Sequence, residues 1–388
     1  MNTVSNTMLD QVLKPIEQAR GLPNLAYTND AFFRHERDQV FAQSWAGLWF
    51  ASDLPQKGAV KRVDFMGLPL IILRNWQDEI KVFHNVCSHR GMILVRDHLT
   101  VQRTLRCPYH AWSYSLDGEL KGTPHLGGIG KSSCADFNRG EHGLKPVRSR
   151  VWMDIIFINL SDEAPAFEEY AEPLIRQWRT FVGRTGFDHL RIAPDDNRMQ
   201  IEVATNWKLA VENYCESYHL PWIHPGLNTY SRLEDHYHIM IGDHFGGQGS
   251  LAYRLLDEDG KALPRFPAWP HDKLKQAEYV AFYPNVLLGI HADHAFVVII
   301  DPISSGQSVE HLRFYYVGDD ALSEEYRASR QTLLESWQVV FNEDIDAVEG
   351  MQQGRLSPGY NGGIFSPFMD NPTHHFHQWV ARKLKAAR

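Results

Sequence analysis

The chain has 388 residues, of which 43% are hydrophobic and 12% aromatic, enough for one large domain or two domains with a substantial core. Its formal net charge of -8, without a run of lysines and arginines, argues against an extended nucleic-acid-binding surface. The sequence shows neither a secretion signal nor an apolar stretch of membrane-spanning length, so we expect a cytoplasmic protein that does not enter a membrane. Four cysteines are too few for a disulfide framework, which raises the question of whether they bind metal.

The first 160 residues predict a helical segment followed by short strands. Apolar residues at helical spacing indicate a short helix between residues 28 and 45. Beyond it, apolar runs bounded by turn residues predict strands at 70–73, 82–86, 112–116 and 155–160. This pattern is typical of a small all-β domain.

Two cysteine and histidine pairs lie within this β-rich region. Cys87-Ser-His89 is followed, after seventeen residues, by Cys107-Pro-Tyr-His110, and two opposed loops of a small sheet could supply four ligands to one centre. Tetrahedral zinc is one interpretation. In zinc fingers, however, like ligands usually come in pairs, whereas here each loop supplies one thiolate and one imidazole. This arrangement favours a two-iron cluster in which thiolates hold one iron and imidazoles the other.

The second half of the chain mixes helices and strands. Helical periodicity predicts helices at 167–182, from 207 to Pro221 and from 323 to about 353. Alternating or continuous apolar runs predict strands at 199–203, 277–283, 295–300 and 311–317. The glycines of Gly246-Gly-Gln-Gly249 predict a turn. A β-rich region closed by a long helix indicates an α+β domain.

Two candidate metal ligands lie in the stretch from Trp207 to His224. The predicted helix carries Glu216 and His219 on its polar face and is expected to end at Pro221. His224 follows His219 by five residues, so the two histidines reach a common point only if the chain turns off the helix between them. An amphipathic helix with a solvated polar face is the alternative interpretation.

A third candidate ligand lies on the long helix near the carboxyl end. Asp344 falls within an apolar stripe, about 20° from Trp337 on a helical wheel, while Glu343, Asp346 and Glu349 are expected to face solvent. An aspartate in an apolar stripe must be neutralised, paired or bound to a cation, so a buried ion pair is the alternative. Two histidines and one carboxylate are the donor set of an oxygen-activating iron.

Taken together, Cys87-Ser-His-Arg-Gly91, Cys107-Pro-Tyr-His-Ala-Trp112 and the stretch from Asn206 to His224 closely resemble the catalytic alpha subunits of Rieske non-heme iron oxygenases, which hydroxylate rings or remove methyl groups. The resemblance extends from about Tyr27 to the carboxyl end.

The resemblance implies three segments. Residues 1–44 would be a helical segment that packs on the catalytic domain, and residues 45–160 a Rieske domain. Residues 161–388 would form a helix-grip, START-like catalytic domain with an antiparallel sheet and a long carboxyl-terminal helix. The implied cofactors are a [2Fe-2S] cluster and a mononuclear Fe(II), with O2 as co-substrate. Their implied ligands are Cys87, His89, Cys107 and His110 for the cluster and His219, His224 and Asp344 for the iron.

The resemblance also assigns roles to Glu216 and Asn213. In the family, a carboxylate three residues before the first iron histidine links the cluster of one subunit to the iron of its neighbour, which implies a homotrimer. Glu216 occupies this position, where most members have aspartate, and a glutamate resembles the branch acting on quaternary ammonium compounds such as carnitine. Asn213 matches a family asparagine near the iron.

The implied function is that of a terminal oxygenase, a monooxygenase or dioxygenase. The sequence has no nicotinamide or flavin fingerprint, so electrons would come from NAD(P)H through a separate reductase, with flavin and iron-sulfur groups, or a ferredoxin. We expect hydroxylation or N- or O-demethylation of a small organic substrate, a quaternary ammonium compound. The alternatives are cis-dihydroxylation of an arene, hydroxylation of an aromatic acid, a Rieske electron carrier without oxygenase activity, and a zinc-stabilised binding module.

Overall fold

The computed structural model describes residues 4–194, 197–254 and 261–386. The chain divides into two units: Ser44–Ala164 forms one, while Met1–Gln43 and Pro165–Arg388 together form the other. The amino-terminal segment therefore belongs with the carboxyl-terminal part of the chain. None of the helices among the described residues has the length and apolar character needed to cross a membrane.

The unit Ser44–Ala164 is built from short antiparallel strands. Its strands are β1 Ala46–Phe50, β2 Ala59–Phe65, β3 Leu68–Arg74, β4 Ile80–His84, β5 Leu99–Thr100, β6 Leu105–Arg106, β7 Ser113–Tyr114, β8 Leu120–Gly122, β9 Pro146–Trp152 and β10 Ile155–Asn159. Seven of them form one sheet in the order β1-β10-β9-β4-β3-β2-β5, and β6, β7 and β8 form a second sheet. Met66 and Gly67, both with positive φ, close the β2–β3 hairpin, as expected for a two-residue turn.

The other unit combines helices with a large antiparallel sheet. Its helices are α1 Asn6–Val12, α2 Leu25–Thr28, α3 Asp30–Glu36, α4 Phe167–Val182, α5 Trp207–Cys215, α6 Leu220–Ile223, α7 Arg327–Gly354 and α8 Asn371–Ala386. Its strands are β11 Leu190–Arg191, β12 Arg198–Val203, β13 His236–Ile241, β14 Phe245–Ser250, β15 Ala277–Phe282, β16 Val286–Ile290, β17 His294–Ser304 and β18 Gln307–Val317. The sheet order is β11-β18-β17-β16-β15-β14-β13, and β12 also pairs with β18. Helix α5 packs against β14, β15 and β17 and against α7 and α8. The predicted α+β class is confirmed.

A buried ion pair anchors the start of α5. The Lys208 ammonium lies 2.7 Å from the Glu36 carboxylate, and both side chains are fully buried. Lys208 also donates to Asn206 Oδ1 at 2.7 Å. Burial raises the pKa of Glu36 and lowers that of Lys208, and each charge partly offsets the shift of the other. The pair therefore fastens the amino-terminal segment to the helix that precedes the candidate ligands.

The prediction of one helix from 207 to Pro221 is wrong. Helix α5 ends at Cys215, because Glu216 adopts an extended conformation with φ -124° and ψ 159°. Pro221 lies in the first turn of the separate helix α6, a position where its missing N–H costs little. The interruption supplies the turn that His219 and His224 require.

The prediction of a turn at Gly246-Gly-Gln-Gly249 is also wrong, since these residues belong to strand β14. The glycines are needed there for close packing. A Cβ atom on Gly247 would lie 2.0 Å from the carbonyl oxygen of Tyr279, and one on Gly249 would lie 2.2 Å from the ring of Tyr237. Glycine in a strand often marks such a close approach.

Candidate active site

The loops that carry Cys87 and Cys107 have the same backbone construction. The residue four positions after each cysteine, Gly91 or Ala111, donates its N–H to the cysteine carbonyl at 3.0 Å. Each cysteine N–H in turn donates to the carbonyl of the fifth residue after it at 2.8 Å. Both Gly91 and Ala111 have positive φ, 71° and 58°, which is uncommon for alanine. Two matched loops therefore present the two pairs of side chains.

The side chains on these loops fit a two-iron cluster. Cys87 and Cys107 are buried, and the rings of His89 and His110 have centroids 4.8 Å apart. The buried Nδ1 of His110 has no hydrogen-bond partner within the described part of the chain. In such a cluster each iron takes two protein ligands of one kind, so the two cysteines and the two histidines serve different metals.

A tyrosine hydroxyl supports the Cys87 sulfur. Ser88 donates its backbone N–H to the Tyr114 hydroxyl at 3.1 Å, and this hydroxyl lies 3.1 Å from Cys87 Sγ. Burial, followed by the hydrogen bond with Cys87, raises the pKa of Tyr114, so the phenol keeps its proton and can donate it to the sulfur. Burial also raises the pKa of the Cys87 thiol, and a bound metal would displace that proton.

Glu216 builds the turn that carries the first histidine. Its Oε2 accepts the backbone N–H groups of Tyr218 and His219, and its Oε1 lies 2.7 Å from His219 Nδ1. Since a carboxylate accepts, Nδ1 of His219 carries the proton and Nε2 keeps its lone pair. The same carboxylate thus shapes the backbone and selects the tautomer of the imidazole.

The second histidine is held in the same way from helix α7. Nδ1 of His224 lies 2.8 Å from Glu343 Oε2, which leaves Nε2 free of that proton. Nε2 of His224 lies 3.1 Å from Asp344 Oδ1, and Nε2 of His219 lies 3.7 Å from the same oxygen. Oδ1 is buried and accepts no hydrogen bond from the residues that the structure describes. The ligand atoms of His219, His224 and Asp344 all lie within 4.8 Å of one another.

Three acceptor atoms that converge on one point need a cation between them. A bound divalent metal would satisfy them, and carboxylates on the outer nitrogens are the usual support for metal-binding histidines. Without a metal, the two carboxylates favour a proton on His224: burial lowers its pKa, but Asp344 and Glu343 more than offset this and raise it overall. The donor set of two imidazoles and one carboxylate fits a mononuclear iron with open positions.

Glu343 lies in the site, contrary to the prediction from the sequence. We expected it to face solvent, but its carboxylate accepts the N–H of His224, because α6, which ends just before His224, packs against α7. Asp346 is exposed as expected, whereas Glu349 is half-buried and accepts the Ala204 N–H at 2.8 Å. The sequence could have indicated this role. Metal-binding histidines usually have a carboxylate or carbonyl partner, and Glu216 was assigned to His219, so His224 needed a partner too.

A pocket of about 490 Å³, part of which is open to solvent, lies beside the three converging side chains. Aromatic side chains form much of its wall: Tyr214, Tyr279, Trp337 and Phe341. Polar side chains also reach it: Asn213, Ser231, His236 and Gln248. Asn213 and Asp344 also line a second, smaller cavity together with Glu310, whose pKa is raised to about 7 by burial and then by the charge of Asp344.

The fold and these two sets of side chains are those of a known class. Residues 190–386 match the family model of the ring hydroxylating alpha subunit (catalytic domain), and residues 44–133 match that of the Rieske [2Fe-2S] domain. The chain belongs to the ring-hydroxylating oxygenase alpha subunits. It is an oxygenase that carries a [2Fe-2S] cluster and a mononuclear iron and uses O2. Its substrate is a small molecule, and its electrons come from a separate reductase. The electron-carrier and zinc-module alternatives are not supported.

Individual relatives extend along most of the chain. The carnitine monooxygenase oxygenase subunit of Escherichia coli K12 is 25% identical over 387 residues, covering 95% of each chain. The chloroplastic choline monooxygenase of Arabidopsis thaliana is 28% identical over 386 residues, covering 96% of this chain and 84% of the relative. The crystal structure of a quaternary ammonium Rieske monooxygenase with an inhibitor superimposes with a TM-score of 0.78 at 23% identity, covering 99% of both chains, which shows a common fold.

Proposed function

We propose that this chain is the oxygenase component of a quaternary ammonium monooxygenase. The observation that carries the proposal is the cavity beside His219, His224 and Asp344, whose wall contains four aromatic side chains. Relatives named for carnitine and choline support it, as does the glutamate at position 216. The reaction is hydroxylation of a carbon near the cationic nitrogen, with loss of an N-methyl group as formaldehyde where a methyl carbon is attacked.

Aromatic walls suit a quaternary ammonium group for a chemical reason. Such a group has a permanent charge but no N–H to donate, so hydrogen-bond acceptors recognise it poorly. The negative faces of aromatic rings attract it, tryptophan most strongly. The ring of Trp337 lies 6.0 Å from that of Tyr279 and 5.9 Å from that of Phe341, so neighbouring rings can surround one trimethylammonium group.

Each implied cofactor has residues that fit it. We propose that His219, His224 and Asp344 hold iron(II), which activates O2 when bound. Glu216 and Glu343 keep the Nδ1 protons of the two histidines, so that both Nε2 atoms face Asp344. Asn213, which lines the cavity, stays a prediction as a further residue near the iron.

For the cluster we propose the four residues on the matched loops: Cys87, His89, Cys107 and His110. The Tyr114 hydroxyl supports the Cys87 sulfur. A hydrogen bond to a cluster sulfur is one means of tuning the reduction potential.

We further propose a homotrimer in which a cluster histidine of one subunit donates to Glu216 of the next. Glu216 then joins the cluster to the iron through His219. Large apolar side chains are exposed near both proposed partners: Tyr109 beside His110 is 56% exposed, and Trp222 on α6 is 70% exposed. Burial of these rings would stabilise the assembly. The cytoplasmic location and the NAD(P)H dependence of the reductase stay predictions.

The test begins with anaerobically purified protein. We expect about three irons and two acid-labile sulfides per chain and, after reduction, the EPR signal of a histidine-ligated cluster. With a surrogate reductase, oxygen uptake should be coupled to choline, carnitine or glycine betaine, with a hydroxylated or demethylated product found by mass spectrometry. An Asp344→Ala variant is the control and should keep the cluster signal. Coupled turnover of indole or naphthalene, with none of the ammonium compounds, would instead indicate arene dihydroxylation.

A further inference from the structure

Resting on the proposed function, we propose that Asp293 and His294 set the preference of the cavity for a permanently cationic substrate by acting through Trp337. Asp293 and His294 are not among the residues that line the cavity, whereas Trp337 is. The first two are therefore positioning and specificity residues, and Trp337 is the group that contacts the ligand.

The tight connection between strands β16 and β17 places the two residues. His291 donates its backbone N–H to the carbonyl of His294 at 2.9 Å, which closes the turn. Asp293 is 3% exposed and His294 is 0% exposed. A buried carboxylate at this position requires a hydrogen-bond donor, because an unpaired one would cost more than the fold gains from burying it.

A chain of hydrogen bonds connects this carboxylate to the cavity wall. Trp337 Nε1 lies 3.1 Å from His294 Nε2, and His294 Nδ1 lies 2.6 Å from Asp293 Oδ1. An indole nitrogen can only donate, so Nε2 of His294 accepts and Nδ1 carries the proton that Asp293 accepts. All donors point the same way, from the indole toward the carboxylate.

This direction makes the indole a better partner for a cation. Hydrogen bonds in series polarise one another, so the carboxylate draws the imidazole proton, the imidazole draws the indole proton, and electron density increases on the indole ring. The charge of Asp293 also acts through a buried, low-dielectric region, where it is screened less than in water. Both effects attract a cation and leave a neutral ligand of the same shape almost unaffected.

The arrangement also keeps the carboxylate of Asp293 outside the cavity in which the substrate reacts. A carboxylate inside the cavity would pair with the ammonium group and could compete for the metal ion. Behind Trp337, Asp293 attracts the cation without touching it. The indole is also held by packing: the ring centroid of Phe296 lies 4.6 Å from that of Trp337, and the ring of Tyr253 lies nearly parallel to it at 6.1 Å.

The experiment compares two ligands of one shape: choline and its neutral analogue in which carbon replaces nitrogen. Binding is measured by calorimetry on the holoenzyme without oxygen, where no turnover occurs. We expect the wild type to prefer choline. Asp293→Asn keeps an acceptor oxygen but removes the charge, and it should weaken choline binding by about 3- to 10-fold while changing the neutral analogue by less than about twofold.

Glu278→Gln is the matched control. Glu278 is a buried carboxylate that accepts the N–H of Trp178 at 2.9 Å, but Trp178 does not line the cavity. This variant should leave the ratio of the two affinities unchanged. Thermal unfolding shows whether Asp293→Asn is folded. If it is not, His294→Gln takes its place: it interrupts the chain of hydrogen bonds at its centre and should lower the ratio of choline affinity to analogue affinity in the same way.

An equal loss for both ligands would overturn the proposal, because it would indicate a packing role. An unchanged ratio in either folded variant would overturn it as well. If the wild type and the variants all prefer choline to the same extent, the role of Asp293 and His294 is refuted but the proposed function is not. A wild type without any preference for choline contradicts the proposed function too.

Discussion

Removing Glu343 should weaken iron binding selectively. Its Oε2 lies 2.8 Å from His224 Nδ1, a distance typical of a charge-assisted hydrogen bond. Loss of such a partner typically costs 10- to 100-fold in metal affinity, or about 1.4–2.7 kcal/mol. Because the Glu343 side chain is 32% exposed, water can replace part of the interaction. We therefore expect roughly a 10-fold loss for Glu343→Ala and about threefold for Glu343→Gln, which keeps an acceptor oxygen.

The assay is anaerobic competition for iron(II) with a coloured chelator, followed on each variant beside the wild type. Asp346→Ala is the control, since Asp346 lies on the same helix and is exposed. The EPR signal of the cluster reports on the other centre and should not change. Wild-type iron affinity in Glu343→Ala would refute the reasoning, and so would simultaneous loss of the cluster signal, which would indicate general unfolding.

Three further predictions concern other parts of the chain. Asp344→Asn should abolish retention of the mononuclear iron in metal analysis while two irons and the cluster signal remain; retention of the third iron would exclude Asp344 as a ligand. Tyr114→Phe removes the hydroxyl beside Cys87 Sγ and should lower the reduction potential of the cluster in an EPR-monitored titration, whereas an unchanged potential would mean that the hydroxyl does not donate to the sulfur. Lys208→Met leaves the carboxylate of Glu36 buried without its cation and should cost about 3–5 kcal/mol of stability in chemical unfolding; a loss below about 1 kcal/mol would show that Glu36 is protonated or rehydrated in the variant.

The residues proposed as ligands could be selected from the sequence because the pattern that groups them is mostly local. Cys87 and His89 lie on one loop, and His219 and His224 on one short segment, so spacing alone brings each pair together. Asp344 was found from its position in an apolar stripe. Glu343 could not be placed in this way, because a helical wheel shows which residues share a face but not which other segment crosses that face.

Two secondary-structure elements, β14 and α8, were not predicted, for the same physical reason. Strand β14 contains three glycines and gives no alternating pattern, and only its packing against Tyr279 and Tyr237 explains them. Helix α8, from Asn371 to Ala386, was not predicted. Polar residues, among them His374 and His377, belong to its buried side, so the apolar pattern that would mark that side in the sequence is interrupted. The partners that make these segments fold are distant in the sequence.

The single carboxylate of Glu216 couples the backbone conformation of a turn to the tautomer of a histidine, two properties that usually vary separately. It accepts the N–H groups that turn the backbone after α5, and it holds the Nδ1 proton of His219. A shorter side chain, as in Glu216→Asp, cannot reach both from an unchanged backbone. We therefore expect exchange between glutamate and aspartate at this position to shift the backbone from Glu216 to His219, so chains of the two kinds should differ in this turn as well as in one methylene group.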